Sequence, residues 1–375
     1  MNKEKISDIQ SVKLMILFIF GSTLVIGTGG EAGRDAWISI FIAVILAIPI
    51  YLVYSRILSL FPGKDLFEIL ELNFGKFFGR IISLPFIWFA FHLGALVLRN
   101  FGEFISTVGL PETPKIVPII IFGLLCIWGA KAGIETLAKC SEYFIIFVVF
   151  LLIVFSFLTI PIIDTDNIFP VLGSGYKEIM SGILSAFTFP FGEVVIFMMI
   201  FSSLRSKSST SKVFISALLL SGVTIALLSV RNIMILGPDT IEAVYFPSYF
   251  AIGRVNIGNF LQRMEIAVTV VFILSGFIKI ALCLTATARG VARVIGFDDY
   301  KILITPTGLL MVNLARNIYE DIVEMFDWAF KVWPYYAFPF QVILPVLIWI
   351  FIELKQRAKN KANTTEVTID DGSSG

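Results

Sequence analysis

The sequence predicts an all-α polytopic membrane protein of about ten transmembrane helices, arranged as two inverted sets of five with the first helix of each set broken. Three observations predict it. The 375-residue chain is 57% apolar and only 15% charged, where a soluble domain carries about 25% charged residues. Ten apolar runs, each near the roughly 20 residues that cross a bilayer, follow one another with short polar breaks. Two of those runs, the first and the sixth, carry glycine or proline near their middles.

The same composition excludes other classes. With a mean hydropathy of +0.89, too few charges are present to cover a soluble surface, so a cytoplasmic globular enzyme is not expected. The 37 phenylalanines exclude a disordered chain. A net charge of +1 gives no electrostatic case for nucleic acid. Cys126, Cys140 and Cys283 lie in or beside apolar runs at spacings that fit neither a disulfide framework nor a metal site, and they read as small apolar fillers. His92 is the sole histidine, which leaves no material for a histidine metal cluster or a catalytic triad. No cofactor is expected. The polar stretch 1–10 followed by a long apolar run lacks a small-residue cleavage site and reads as the start of the first span rather than a removable signal.

The ten runs are 10–32, 37–59, 81–106, 115–133, 141–161, 178–203, 212–235, 265–288, 302–318 and 332–354. The ninth is interrupted by Pro306 and followed closely by Arg316. Tyr319 to Lys331 is amphipathic and is expected to lie at the membrane interface. Lysine and arginine favour one set of loops by about two to one, which places both termini in the cytoplasm. Residues 1–355 form one transmembrane domain with repeats at about 10–161 and 178–354. Residues 356–375 form a polar tail, expected to be disordered from Asn360. The longest outer connections are Pro161–Lys177 and Leu236–Met264.

The breaks carry the functional argument. Run 1 contains Gly21-Ser22-Thr23 and then Gly27-Thr28-Gly29-Gly30; run 6 contains Phe187-Thr188-Phe189-Pro190-Phe191-Gly192-Glu193. Proline removes a backbone donor and glycine loosens a helix. Freed backbone groups at membrane depth must face protein or a watered cavity. Runs five apart cross the membrane in opposite directions, so matched breaks point to a midplane binding site between two inverted repeats, as in a transporter fold. Exposed N–H groups suit a carboxylate and exposed carbonyls suit an ammonium, so a zwitterion such as an amino acid fits both. Phe187, Phe189 and Phe191 are placed to wall its apolar side.

Glu193 and Lys279 are the ionisable residues near the midplane. Each costs about 3 kcal/mol or more if left in lipid, so each should face the bundle interior. Either they couple an ion or a proton to ligand binding, or they form a buried structural pair. His92 either lines the site or is a hydrogen-bonded core residue. Arg99 and Glu103, spaced i,i+4, read as a helix-face pair. Glu320, Asp321, Glu324 and Asp327 read as a solvated acidic patch.

At this point the sequence resembles the spore germination B-subunit family (the GerAB/GerKB type), a membrane branch of the amino acid–polyamine–organocation superfamily. The matching features include Ile6-Ser7 to Gln10, Phe20-Gly21-Ser22-Thr23, Asp35-Ala36-Trp37-Ile38-Ser39 and the run Ala186 to Glu193. Phe246-Pro247-Ser248-Tyr249, Gln262-Arg263-Met264-Glu265 and Trp333-Pro334-Tyr335-Tyr336-Ala337-Phe338-Pro339-Phe340-Gln341 complete the set. The resemblance spans residues 6 to 355. It implies a germinant receptor subunit in the inner spore membrane that senses a nutrient, often an amino acid, and works with A- and C-type subunits. Carried over residue by residue, Gly21, Ser22 and Thr23 are the helix 1 break, and Phe187, Thr188, Pro190, Phe191, Gly192 and Glu193 the helix 6 break. The wider superfamily carries an acidic or aromatic residue after Gly-Phe; here the order is Pro-Phe-Gly-Glu. The rival expectations are a proton-coupled amino acid permease using Glu193 or Lys279, and a component of an ion channel.

Overall fold

A computed structural model of the chain describes residues 6–203, 210–255 and 264–372. Lys3, Lys5, Arg205 and Lys207, which count toward the loop charge bias, and Gln262 and Arg263, part of the resemblance, lie outside the described residues.

The ten spans are helical. α1 is Asp8–Phe20, continued beyond a break by Thr23–Ile26. α2 is Ala36–Leu60, α3 is Lys76–Phe104, α4 is Ile116–Ala132 and α5 is Ile134–Thr159. α6 begins as Tyr176–Ala186 and resumes beyond its break, ending in Ile196–Ile200. α7 is Thr210–Leu236, α8 is Ile266–Ile295, α9 is Lys301–Asn317, and α10 builds from Ile322–Asp327 through Trp333–Phe338 to Leu344–Gly372. Among the described residues, seven helices are individually long and apolar enough to cross a membrane. The broken α1 and the 17-residue α4 and α9 complete the ten. At 1.5 Å per residue, 17 residues cover about 25 Å, just short of the hydrocarbon core.

Local sequence sets the helix starts. Ser7 caps α1 in a capping box: its Oγ accepts from the Gln10 amide at 3.2 Å, and Gln10 Oε1 accepts from the Ser7 amide at 2.9 Å. Asp65 and Glu68 repeat the device at the helix Leu66–Phe74. On the same face, that of the termini, the Glu71 carboxylate takes Arg80 at 3.1 Å and Arg293 at 2.6 Å.

The broken α1 and α6 are central, and α5 and α10 are peripheral. The α6 span is 94% buried inside the protein, against 22% for α5 and 28% for α10. Every residue of α1 from Leu14 to Phe20 is buried, the pattern of a helix enclosed on all sides. α8 packs along α3, where Gly290 leaves room for Ile87 and Phe67. On the face opposite the termini, the buried Asp35 carboxylate holds the α5–α6 connection by accepting the amides of Leu172 and Ser174, both at 2.8 Å.

Two expectations are corrected. The segment from Tyr319 to Lys331 does not simply lie at the interface. Its apolar side folds inward, burying Tyr319 and Met325 against the bundle. The tail is helical: α10 continues to Gly372, because Glu353 to Ala362 is rich in the helix formers Lys, Ala, Glu and Arg.

Candidate functional site

The first break is held at Gly21, whose φ of +28° ends the leading half of α1. Only glycine takes that conformation without strain. A Cβ here would run into the Lys279 side chain and the Phe18 carbonyl. The Ser275 hydroxyl of α8, shared with the Val271 carbonyl, lies 2.8 Å from the Gly21 carbonyl. Ser22 and Thr23 are buried, and their hydroxyls have no hydrogen-bond partner among the described residues.

The second break centres on Phe189, at φ −135° and ψ 107°. Proline at 190 has no amide proton to donate, and the non-helical Phe189 interrupts the ladder around it. Three carbonyls at the break are bonded by side chains of other segments. Gln341 Nε2 donates to the Thr188 carbonyl at 2.9 Å, with Trp333 Nε1 at 3.3 Å. The Thr28 hydroxyl donates to the Phe189 carbonyl at 2.6 Å, and the Tyr51 hydroxyl to the Phe191 carbonyl at 3.0 Å. Tyr54 in turn donates to the Gln341 carbonyl. The break is therefore tied to α2, α10 and the turn beyond α1, which satisfies backbone groups that membrane depth would otherwise leave bare.

Between the breaks, Lys279 Nζ meets Glu193 Oε2 at 2.5 Å, and both side chains are fully buried. The ammonium also lies 5.3 Å from the Phe18 ring and 5.2 Å from the Phe189 ring, within cation–π range. The ion pair thus fills the space between α1, α6 and α8.

A cavity of about 40 Å³ adjoins the pair. Glu193 and Phe189 wall one side, Leu93, Val97 and Asn100 of α3 another, and Tyr319, Trp328 and Trp333 cover it. A second cavity of about 650 Å³ opens toward the face opposite the termini. Ile26 and Phe326 line both and form the partition between them.

Of the residues singled out from the sequence, Phe189 and Glu193 line the central cavity and Thr23 lines the larger one. Gly21 lies beside Lys279, and neither it nor Ser22 is on a wall of these two cavities. Thr188 offers its carbonyl to Gln341, Gly192 abuts the Gln341 side chain, and Phe191 packs in the core. Pro190 is buried in the break, and Phe187 packs toward Phe338. His92 is not on the wall. It sits behind it, with ring centroids 5.3 Å from Trp88, 6.0 Å from Trp328 and 5.2 Å from Tyr336.

Arg99 and Glu103 pair at 2.6 Å and are buried. Arg99 does more than pair: Nη1 donates to the Arg316 carbonyl at 2.9 Å, and the guanidinium lies 5.9 Å from the Tyr319 ring. It fixes the end of α9 and, through Tyr319, the cover of the cavity. The acidic patch is consumed locally. Asp321 caps Ile322–Asp327, Glu324 accepts from the Glu320 amide, and Asp327 pairs with Lys331 at 2.6 Å. Sequence reasoning missed Asn100, Trp328 and Gln341 as site residues. The Trp333 to Gln341 run was visible as a motif, but nothing in it names a partner 150 residues away.

A profile described as spore germination protein matches residues 5–321. The spore germination protein KB of Bacillus subtilis (strain 168) is 29% identical over 374 residues, covering 98% of this chain and 99% of that protein. Among solved structures, MhsT in complex with L-phenylalanine superposes with a TM-score of 0.66 at 11% identity, covering 94% of this chain and 99% of that one. A substrate-bound Na+-coupled sialic acid symporter gives 0.64 at 14% identity, covering 88% and 77%. These two likenesses show the fold, that of inverted-repeat transporters.

Proposed function

The chain belongs to the spore germination protein family, and from that premise we propose that it is the B subunit of a nutrient germinant receptor. In this reading it sits in the inner membrane of the bacterial endospore with both termini on the core side. An amino-acid-like germinant enters from the large cavity, passes Ile26 and Phe326, and settles against Glu193, Phe189 and the two tryptophans.

The observation that supports this reading is the joining of three things at one place: a broken α6, a buried ion pair, and a cover contributed by the start of α10. A ligand that displaces Trp333 pulls on the Thr188 carbonyl and so on the break itself. The energy for a shift comes from the ligand's different contacts in the two arrangements. The shift is passed to A- and C-type partner subunits.

Glu193 and Lys279 couple occupancy to conformation. The Lys279 ammonium lies between the α1 break and α8, where it supplies a fixed positive charge and removes the need for a bound cation. The rival reading is a proton-coupled amino acid permease, which the transporter fold supports.

The experiment is germination of spores lacking this gene across single amino acids and sugars, with amino acid uptake measured in parallel. Loss of response to one nutrient with unchanged uptake supports the receptor. Normal germination with a lost uptake activity overturns it in favour of the permease.

A further inference from the structure

The large cavity holds chemistry that the central site does not use. Glu31, just beyond the Gly27-Thr28-Gly29-Gly30 turn, lines it. Both carboxylate oxygens are shielded from solvent, and neither has a hydrogen-bond partner among the described residues. The Ser185 hydroxyl and the residue's own amide are the polar groups beside it. Thr23 lines the same cavity, is 2% exposed, and its hydroxyl is also unpartnered among the described residues. Thr28 lines it too, its hydroxyl proton committed to the Phe189 carbonyl at 2.6 Å and its lone pairs free to accept.

Buried polar atoms are almost always satisfied, and those that are not mark an ion, a water or a ligand. The charge balance of the wall says which sign. Glu31, Glu178, Asp327 and Lys331 are its charged residues, and Lys331 already pairs with Asp327 at 2.6 Å. Two carboxylates, Glu31 and Glu178, remain, and Lys331 is the one cation on the wall among the described residues. Divalent ions want several converging carboxylates, and among the described residues no group of three metal-ligating side chains exists. One carboxylate with neutral hydroxyls suits a single positive charge.

We propose that this cavity contains a subsite for a monovalent cation, centred on Glu31 and completed by the oxygens of Thr23 and Thr28. The occupant is an alkali ion or the ammonium group of a small amine. The proposal goes beyond the receptor reading and does not depend on it, because Glu31 touches neither Glu193 nor Lys279. Its position matters all the same: Thr28 ties this subsite to the α6 break through a single hydrogen bond.

The test uses the full chain in nanodiscs, with thermal stability followed as potassium chloride or methylammonium chloride replaces N-methylglucamine chloride at constant ionic strength. A cation that binds the folded chain raises the melting temperature saturably. Glu31→Gln should weaken the apparent affinity at least about tenfold and Thr23→Val about threefold. Glu112→Gln, in an exposed loop on the same face, should leave it unchanged. A response to potassium alone assigns an alkali site; a response to methylammonium alone assigns an amine site. No response to either cation, or an unchanged response in Glu31→Gln, overturns the proposal. Thr23→Val keeps the test decisive if Glu31→Gln does not fold.

Discussion

Lys279→Met separates a structural ion pair from a functional one. The substitution keeps the volume of the stem and deletes the ammonium. Glu193 is then left as a fully buried carboxylate whose only donor among the described residues, 2.5 Å away, has gone. Breaking a buried pair in this way costs about 3–5 kcal/mol. The converse change, Glu193→Gln, should cost less. It leaves an amide oxygen as acceptor, and the ammonium keeps the faces of Phe18 and Phe189 at 5.3 and 5.2 Å, worth up to about 2 kcal/mol when desolvated. The double variant removes both charges, and a neutral buried pair is often as stable as the ionic one. At about 2–3 °C per kcal/mol, Lys279→Met should melt on the order of 6–15 °C lower, Glu193→Gln less, and the double variant near the parent. Germination is then scored in spores carrying each. If the pair couples occupancy to conformation, the double variant recovers stability but not the nutrient response. A double variant that germinates normally reduces the pair to scaffolding. A Lys279→Met protein as stable as the parent refutes the energetic reasoning itself.

Gly192→Leu places a side chain where the Gln341 carboxamide lies, breaks its bond to the Thr188 carbonyl and adds about 1–3 kcal/mol of overpacking; nutrient binding by the folded variant should fall at least about tenfold, read by ligand-induced thermal shift. Arg99→Met removes the clamp on the α9 end, with a softened cost of about 2–3 kcal/mol because Lys115 still holds Glu103 at 2.9 Å; amide hydrogen exchange over residues 318–329 should speed up while α5 is unaffected. Asp65 titrates near neutrality: burial pushes its carboxyl up to about 6, against the pull of the Glu68 amide, Arg289 and Arg293. Folding therefore favours its protonated form, so its contribution is full below about pH 4 and is lost as pH rises through about 6. Asp65→Asn, which keeps the helix cap, should abolish that slope and gain about 2 kcal/mol at pH 7, measured by melting across pH 4 to 8.

The spans and the breaks were legible because each departs from its background. Pro190 and Gly192 stand out in an apolar run, and Glu193 and Lys279 are charges near the middles of their runs rather than at the ends. What could not be read was reach. His92 looked equally suited to a wall or a core, and of the rings that hold it behind the wall only Trp88 is near in sequence, while Trp328 and Tyr336 come from a distant segment. The cover of the cavity was hidden by its own acidic residues. Glu320, Asp321, Glu324 and Asp327 gave Tyr319 to Lys331 the pattern of an interfacial helix, yet three of the four carboxylates serve a cap, a turn and a local pair. Local hydrogen bonding satisfied the charges and left the apolar side free to turn inward.

The way the α6 break is satisfied bears on how a ligand acts. A bare carbonyl would bind a ligand ammonium directly and need no rearrangement. Here the Thr188, Phe189 and Phe191 carbonyls are already bonded to Gln341 and Trp333 on α10, Thr28 beyond α1, and Tyr51 on α2. A ligand must therefore compete for these carbonyls or act through Glu193. Each bond that it displaces is worth about 1 kcal/mol net, and they come from three separate segments. Releasing one segment leaves the others in place. Such an arrangement suits graded transmission to a neighbouring subunit better than free passage of substrate, for passage requires that all of these ties release and reform in every cycle. Tyr51→Phe and Thr28→Val each remove one tie without touching the central cavity. A receptor should answer them with a lowered nutrient threshold, because the resting arrangement is less firmly held. A permease limited by the same conformational step should instead show a raised turnover for uptake. Spores of either variant that germinate at the parental threshold, with parental uptake, would show that these bonds hold the fold and nothing more.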